Sequence, residues 1–158
     1  MNNPLAPLNQ PQLLQAASLS QPATGTHFAV RNPATQQPIA WVAEMGAGET
    51  DAAIAAANTA LPAWRSRTAY ERSRILRNWF DLLQAHKDDL ARILTAENGK
   101  PTAEALGEVQ YAASFVEWYA EEAKRAYGEV LTPNVARQRS VVIKQAIGVC
   151  AAITPWNF

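Results

Sequence analysis

The sequence predicts an α/β protein, and three stretches carry that prediction. Two short runs, His27-Phe-Ala-Val-Arg31 and Pro38-Ile-Ala-Trp-Val-Ala43, have strand character and flank a turn-forming segment. From Thr50 to about Tyr127, apolar residues recur at helical spacing between recognisable caps and stops. The chain then closes on Ile147-Gly-Val-Cys-Ala-Ala-Ile-Thr154, apolar on both alternating faces. Such a run reads as a strand covered on both sides, as in a parallel sheet. The residues that follow it, Pro155 to Phe158, would lie beyond a strand's carboxyl end, where ligands of such sheets bind.

Composition narrows the function classes. The 158 residues suffice for one domain with a core. Fourteen Lys and Arg balance fourteen Asp and Glu. The basic excess of a nucleic-acid or anionic-membrane binder is therefore missing, and neither partner is expected. No run approaches the roughly 18 apolar residues a membrane helix needs. Arg31 is the first basic side chain, so neither a secretory signal nor an Arg-rich transit peptide is visible. A cytoplasmic chain is the default. The single cysteine, Cys150, excludes a disulfide within the chain. His27 and His86 have no metal-ligand spacing to other donors, so no metal site is expected.

The elements follow in order. Residues 1 to 26 hold four of the ten prolines and many Gln and Asn, and read as a mobile arm. Asn32-Pro33 to Gln37 has the chemistry to join the first two strands as a hairpin. Thr50 is expected to cap an Ala-rich helix that Pro62 ends. Thr68-Ala-Tyr-Glu71 is a capping box, and Ile75, Leu76, Trp79, Phe80 and Leu83 form one face of the helix behind it. Residues His86 to Asp89 interrupt, and a further amphipathic helix stops at Asn98-Gly99. Pro101 suits the first position of a long helix reaching about Tyr127, with Val109, Ala113, Val116 and Ala120 as its stripe. Gly128 ends it, Thr132-Pro-Asn134 turns, and Arg139 to Lys144 is expected as a strand projecting from the helices.

Three blocks resemble the N-terminal part of an aldehyde dehydrogenase. They are Arg31-Asn-Pro-Ala-Thr with its following strand, Glu97-Asn-Gly-Lys-Pro101 with Ala103-Glu-Ala, Gly107-Glu-Val and Trp118-Tyr-Ala-Glu-Glu-Ala123, and Ile147 to Phe158. The third block is highly specific; the second is closest to the succinate-semialdehyde branch. The resemblance implies a fold of β-hairpin, helical layer, projecting oligomerisation strand and first buried parallel strand. Residues 27–127 would be the N-terminal part of the dinucleotide-binding domain, 128–146 the start of the oligomerisation hairpin, and 147–158 the first strand of the Rossmann-like sheet.

The resemblance also implies the site. Asn157 matches the amide that donates to the developing oxyanion when a thiolate attacks the aldehyde. By itself, Asn157 reads as an Asn that turns the chain after a strand. Ile153, Thr154, Pro155 and Trp156 match the wall of the nicotinamide cleft, for NAD or NADP, and also fit strand-end packing. Phe158 matches an aromatic that walls the aldehyde tunnel, and by helix register Tyr111, and with it Gly107, faces that tunnel. Cys150 lies inside the apolar run, away from any base or cation in sequence, and reads as structural. The Arg65 to Arg77 cluster reads as a solvated helix face, and Glu97, Glu121 and Glu122 as helix-surface carboxylates. The family's nucleophile, its water-activating Glu and its cofactor loop have no match before Phe158, so the chain by itself is expected to be inactive. The whole protein would be an NAD(P)-dependent homo-oligomer, dimer or tetramer, oxidising succinate semialdehyde. Glutarate semialdehyde or betaine aldehyde are the alternatives within the class, and a helical interaction module without catalysis is the alternative outside it.

Overall fold

A computed structural model describes residues 25–155. The expected arm falls almost wholly outside that range, as do Trp156, Asn157 and Phe158. Strands β1 (His27–Arg31) and β2 (Pro38–Ala43) pair antiparallel, with Phe28 opposite Val42 and a register shift between Val30 and Arg31. The turn is built as its residues demand. The Asn32 side-chain oxygen accepts from the Ala34 and Thr35 amides at 2.9 and 3.2 Å, an Asx turn that replaces ladder bonds.

Helix α1 (Ala47–Arg65) departs from expectation at both ends. It starts three residues before Thr50, with Gly46 as cap, because the Glu49 carboxylate reaches back to accept from the Gly46 amide at 2.9 Å. Thr50 instead donates its hydroxyl to the Gly46 carbonyl inside the first turn. Pro62 lies within the helix rather than ending it. So close to the C-terminus, its missing amide and ring disturb only the contacts to the preceding turn, and the chain continues to Arg65.

Helix α2 (Ala69–Ala85) carries the expected capping box: Thr68 N donates to Glu71 Oε2 at 2.7 Å and Glu71 N to Thr68 Oγ1 at 3.3 Å. His86 closes α2 and opens α3 (Lys87–Asn98). Gly99 ends α3 with φ +89°, where a Cβ is disfavoured, and an added Cβ would also meet Pro33 Cγ at 2.8 Å. The hairpin turn is thus seated on the junction after α3.

Helix α4 (Thr102–Glu122) starts one residue later than expected, with Pro101 as its cap rather than its first helical residue, and tightens into a 3₁₀ turn over Ala123–Arg125 before Tyr127. Helices α2 and α3 both pack on α4, and the 3₁₀ turn packs on α2. The seam is small-residue. Ala105, Ala113 and Ala120 are fully buried, and among the described residues the other buried apolar ones, Ala43, Ala91 and Ala96, are also alanines. Large apolar side chains stay open, among them Trp79, Leu82, Phe115 and Trp118. One layer of helices is closed against itself by methyl groups, while the side that a second layer would cover remains bare.

Strands β3 (Glu129–Leu131) and β4 (Ser140–Val142) form an antiparallel ribbon, with Val130 opposite Val141. The projecting strand therefore has a partner, shorter than the run Arg139 to Lys144 suggested. Gly128 starts the ribbon so close to β4 that a Cβ there would overlap the Val142 carbonyl oxygen. Residues 143–155 form no strand. Ile147 and Ile153 are 94% and 101% exposed. A parallel strand exists only when neighbours supply its ladder, and no described segment pairs with this one.

Candidate active site

The sequence-predicted residues fall into two groups. Ile153, Thr154 and Pro155 lie in an exposed segment without regular secondary structure and are the last residues described before Trp156, Asn157 and Phe158. Tyr111 lies on the exposed side of α4, opposite the alanine seam, and its ring meets Phe115 edge-on, with centroids 4.9 Å apart and planes at 77°. Such a T-shaped pair is the favoured geometry for two rings one helical turn apart.

Cys150 needs correcting in one respect. It is exposed rather than enclosed in a strand, and its Sγ lies 3.7 Å from the Gly148 carbonyl oxygen. The cause is the missing ladder just described. Among the described residues no hydrogen bond or ion pair joins it to a cation or base that would make it a nucleophile.

Two polar features escaped the sequence, one read too blandly and the other not singled out at all. Arg77 is not simply solvated: its Nη1 donates to Glu117 at 2.7 Å and its Nη2 to Glu121 at 3.3 Å, and its guanidinium lies 5.2 Å from the Phe80 ring centre. The hydrogen bonds from Lys124 and then Arg77 hold the Glu121 carboxyl below the usual carboxylate range. The four-residue spacing of Glu117 and Glu121 was the available signal, but the chain 40 residues away that answers it is not visible in a pattern. The second feature is the Lys100–Glu108 ion pair, in which both side chains are largely covered.

A cleft of about 640 Å³ opens beside Arg77, lined by Phe115, Trp118 and Arg125, and a second of about 450 Å³ is lined by Tyr70, Arg74 and Lys124. Neither is lined by Tyr111 or by Ile153 to Pro155. They are grooves between α2 and the end of α4, with acid and base already paired across them.

The terminal segment suits one part of a dinucleotide. Its side chains from Ile147 to Pro155 carry no charge, and Ile153 is open. Apolar side chains of this kind suit a flat nicotinamide ring, with the Thr154 hydroxyl as the polar contact, and they bring no positive charge to a phosphate. Among the described residues there is no cluster of three or more His, Cys, Asp or Glu that could hold a metal ion, and no helix long and apolar enough to cross a membrane.

The aldehyde dehydrogenase family model matches residues 20–158. The chain belongs to that family. It is 60% identical over 134 residues to succinate-semialdehyde dehydrogenase (NADP(+)) of Escherichia coli, covering 85% of this chain and 28% of that protein. It is 58% identical, over the same shares, to glutarate-semialdehyde dehydrogenase of Pseudomonas putida. The crystal structure of succinate-semialdehyde dehydrogenase from Burkholderia pseudomallei superposes with a TM-score of 0.85 at 55% identity, covering 88% of this chain and 29% of that one. The chain thus spans under a third of the length of these relatives. The hairpin, the helical layer and the ribbon are therefore those of an N-terminal portion of the aldehyde dehydrogenase fold.

Proposed function

We propose that this chain supplies the N-terminal part of an NAD(P)-dependent enzyme that oxidises succinate semialdehyde to succinate. The observation that carries the reading is the 60% identity to the Escherichia coli enzyme. Glutarate semialdehyde is the near alternative, since a relative named for it is 58% identical. Both substrates are short aldehydes with a carboxylate at the far end.

Within that reading each residue has a task. Asn157 donates its side-chain amide to the oxygen that becomes anionic as the aldehyde carbon turns tetrahedral. An amide aimed there favours the tetrahedral species, typically by about 3 kcal/mol per donor. Ile153, Thr154, Pro155 and Trp156 would wall the nicotinamide side of the cofactor cleft, where bound NAD(P) would supply the hydride acceptor. Phe158 and Tyr111 wall the aldehyde's approach. The nucleophile and the water-activating Glu come from sequence other than these 158 residues, so the chain by itself forms no NAD(P)H. Residues 128–146 begin the hairpin through which copies of a cytoplasmic homo-oligomer associate.

The test joins this chain to the remaining length of the Escherichia coli relative and follows NADPH formation. Succinate semialdehyde is the expected best substrate by kcat/KM, ahead of glutarate semialdehyde and betaine aldehyde. A preference for betaine aldehyde, or turnover by the 158-residue chain alone, would overturn the reading.

A further inference from the structure

We infer that an aromatic stripe of α4, formed by Phe115, Trp118 and Tyr119, is the docking face for the rest of the aldehyde dehydrogenase fold within the same protein; this rests on the proposal that the chain is one part of a longer enzyme. Helix α4 is apolar on two sides. At about 3.6 residues per turn, Ala105, Ala113 and Ala120 fall on one side, and Tyr111, Phe115, Trp118 and Tyr119 on the other. The alanine side is packed by α2 and α3. The polar flanks are answered inside the chain: Glu117 and Glu121 pair with Arg77, and Glu108 with Lys100. The aromatic stripe remains, with Phe115, Trp118 and Tyr119 48%, 61% and 60% exposed. Rings of about 150–250 Å² each, roughly half open, leave on the order of 300 Å² of apolar surface along one helix. A contiguous patch of that size marks an interaction site rather than scattered surface side chains.

Two observations fix the occupant. The chain covers 29% of the Burkholderia pseudomallei structure on which it superposes, and a helical layer buries its second apolar face against another layer of its own fold. Tyr111, which begins the stripe, is the proposed wall of the aldehyde's approach, and the nucleophile belongs to sequence other than these residues. The aldehyde is then held between Tyr111 and the remainder of the protein, so that remainder lies over the same side of α4. Trp118 stands roughly 10 Å further along the helix axis, far enough for contact there to leave room for substrate at Tyr111. A second copy seated on the stripe would stand where the nucleophile must come.

The test compares hydroxyl-radical oxidation of the rings, read residue by residue by mass spectrometry, in the 158-residue chain and in the fusion protein. It needs no substitution. Phe115, Trp118 and Tyr119 should oxidise at least about fivefold more slowly in the fusion, the change from half-open rings to the buried core of an interface. Tyr70, 75% exposed at the start of α2, should keep its rate. Equal rates for the stripe in the two proteins would overturn the inference, and so would a slowing of Tyr70 as large as that of the stripe. A dilution series that takes the fusion from oligomer to monomer separates the occupants. Protection that persists in the monomer supports the docking face; protection lost with the oligomer means a second copy and overturns it. Turnover is read separately. A fusion that oxidises succinate semialdehyde while its stripe stays open refutes the docking face alone. One whose stripe is protected, but which oxidises no semialdehyde, refutes the proposed substrate and leaves the docking face standing.

Discussion

Gly99→Ala tests how the hairpin is fixed to the helical layer. Two costs meet at this residue. Its φ of +89° places an L side chain in the left-handed region, worth roughly 1–2 kcal/mol. The new methyl would also lie 2.8 Å from Pro33 Cγ, where two carbons at rest stand roughly 3.5–4.0 Å apart. The proline ring can repucker, so this overlap adds on the order of 1 kcal/mol rather than a full core clash. Together the substitution should cost about 2–3 kcal/mol, a fall in Tm of roughly 4–12 °C for a chain of this size. The assay is thermal unfolding followed by helix signal, for Gly99→Ala, Pro33→Ala and the double variant. The steric part should vanish in the double variant, leaving a coupling of on the order of 1 kcal/mol, while the backbone part persists. Gly99→Asn, which tolerates the left-handed region, should cost less than Gly99→Ala. A Tm unchanged in Gly99→Ala, or strict additivity with Pro33→Ala, would refute the seating of the hairpin on this junction.

The remaining predictions concern the site and the helix ends. Asn157→Ala in the fusion protein should lower kcat by about 10²–10³ with little change in the KM for NADP, as removal of one oxyanion donor does; steady-state kinetics decide it. Arg77→Ala should move the urea midpoint only slightly, because the Glu117 and Glu121 pairs are partly open to solvent, and a large fall in that midpoint would mean a tighter junction. The Glu71 carboxyl is held below its usual range, first by the Thr68 amide and then by the Thr68 hydroxyl. Its folded form thus binds a proton less readily than its unfolded form. The stability it lends is complete above the ordinary carboxylate range near pH 4.3, declines as pH falls from there, and is gone below the lowered folded value. Carboxyl chemical shifts against pH should show Glu71 titrating low in the parent and moving only part of the way back in Thr68→Ala, which removes the hydroxyl and keeps the amide. Cys150 in the 158-residue chain should react with a thiol reagent as fast as an open thiol, since its segment is exposed. Strong protection would show that residues 147–155 are covered after all.

How much could be read beforehand depended on the range of the forces involved. The two strands of the hairpin, the Thr68–Glu71 box, the His86 break and the Gly99 stop were all legible, since each is fixed by residues within about one turn of one another. So was the family, through Ile147 to Phe158. The start of α1 was missed because Glu49 and Thr50 are both plausible in a first turn, and only the reach of one carboxylate separates them. The long helix was drawn too far because its last turn tightens without any proline to announce it.

What the sequence determined by itself is therefore the string of elements and the identity of the residues at its end. The tertiary structure decided which faces meet. It set Ala105, Ala113 and Ala120 at the centre of the helix packing, where close approach needs small side chains, and left the aromatic side of α4 open. It brought Arg77 to Glu117 and Pro33 to Gly99 across stretches no periodicity spans. It also withheld a ladder from residues 147–155, because local preference can extend a chain but only a neighbouring strand can answer its amides and carbonyls.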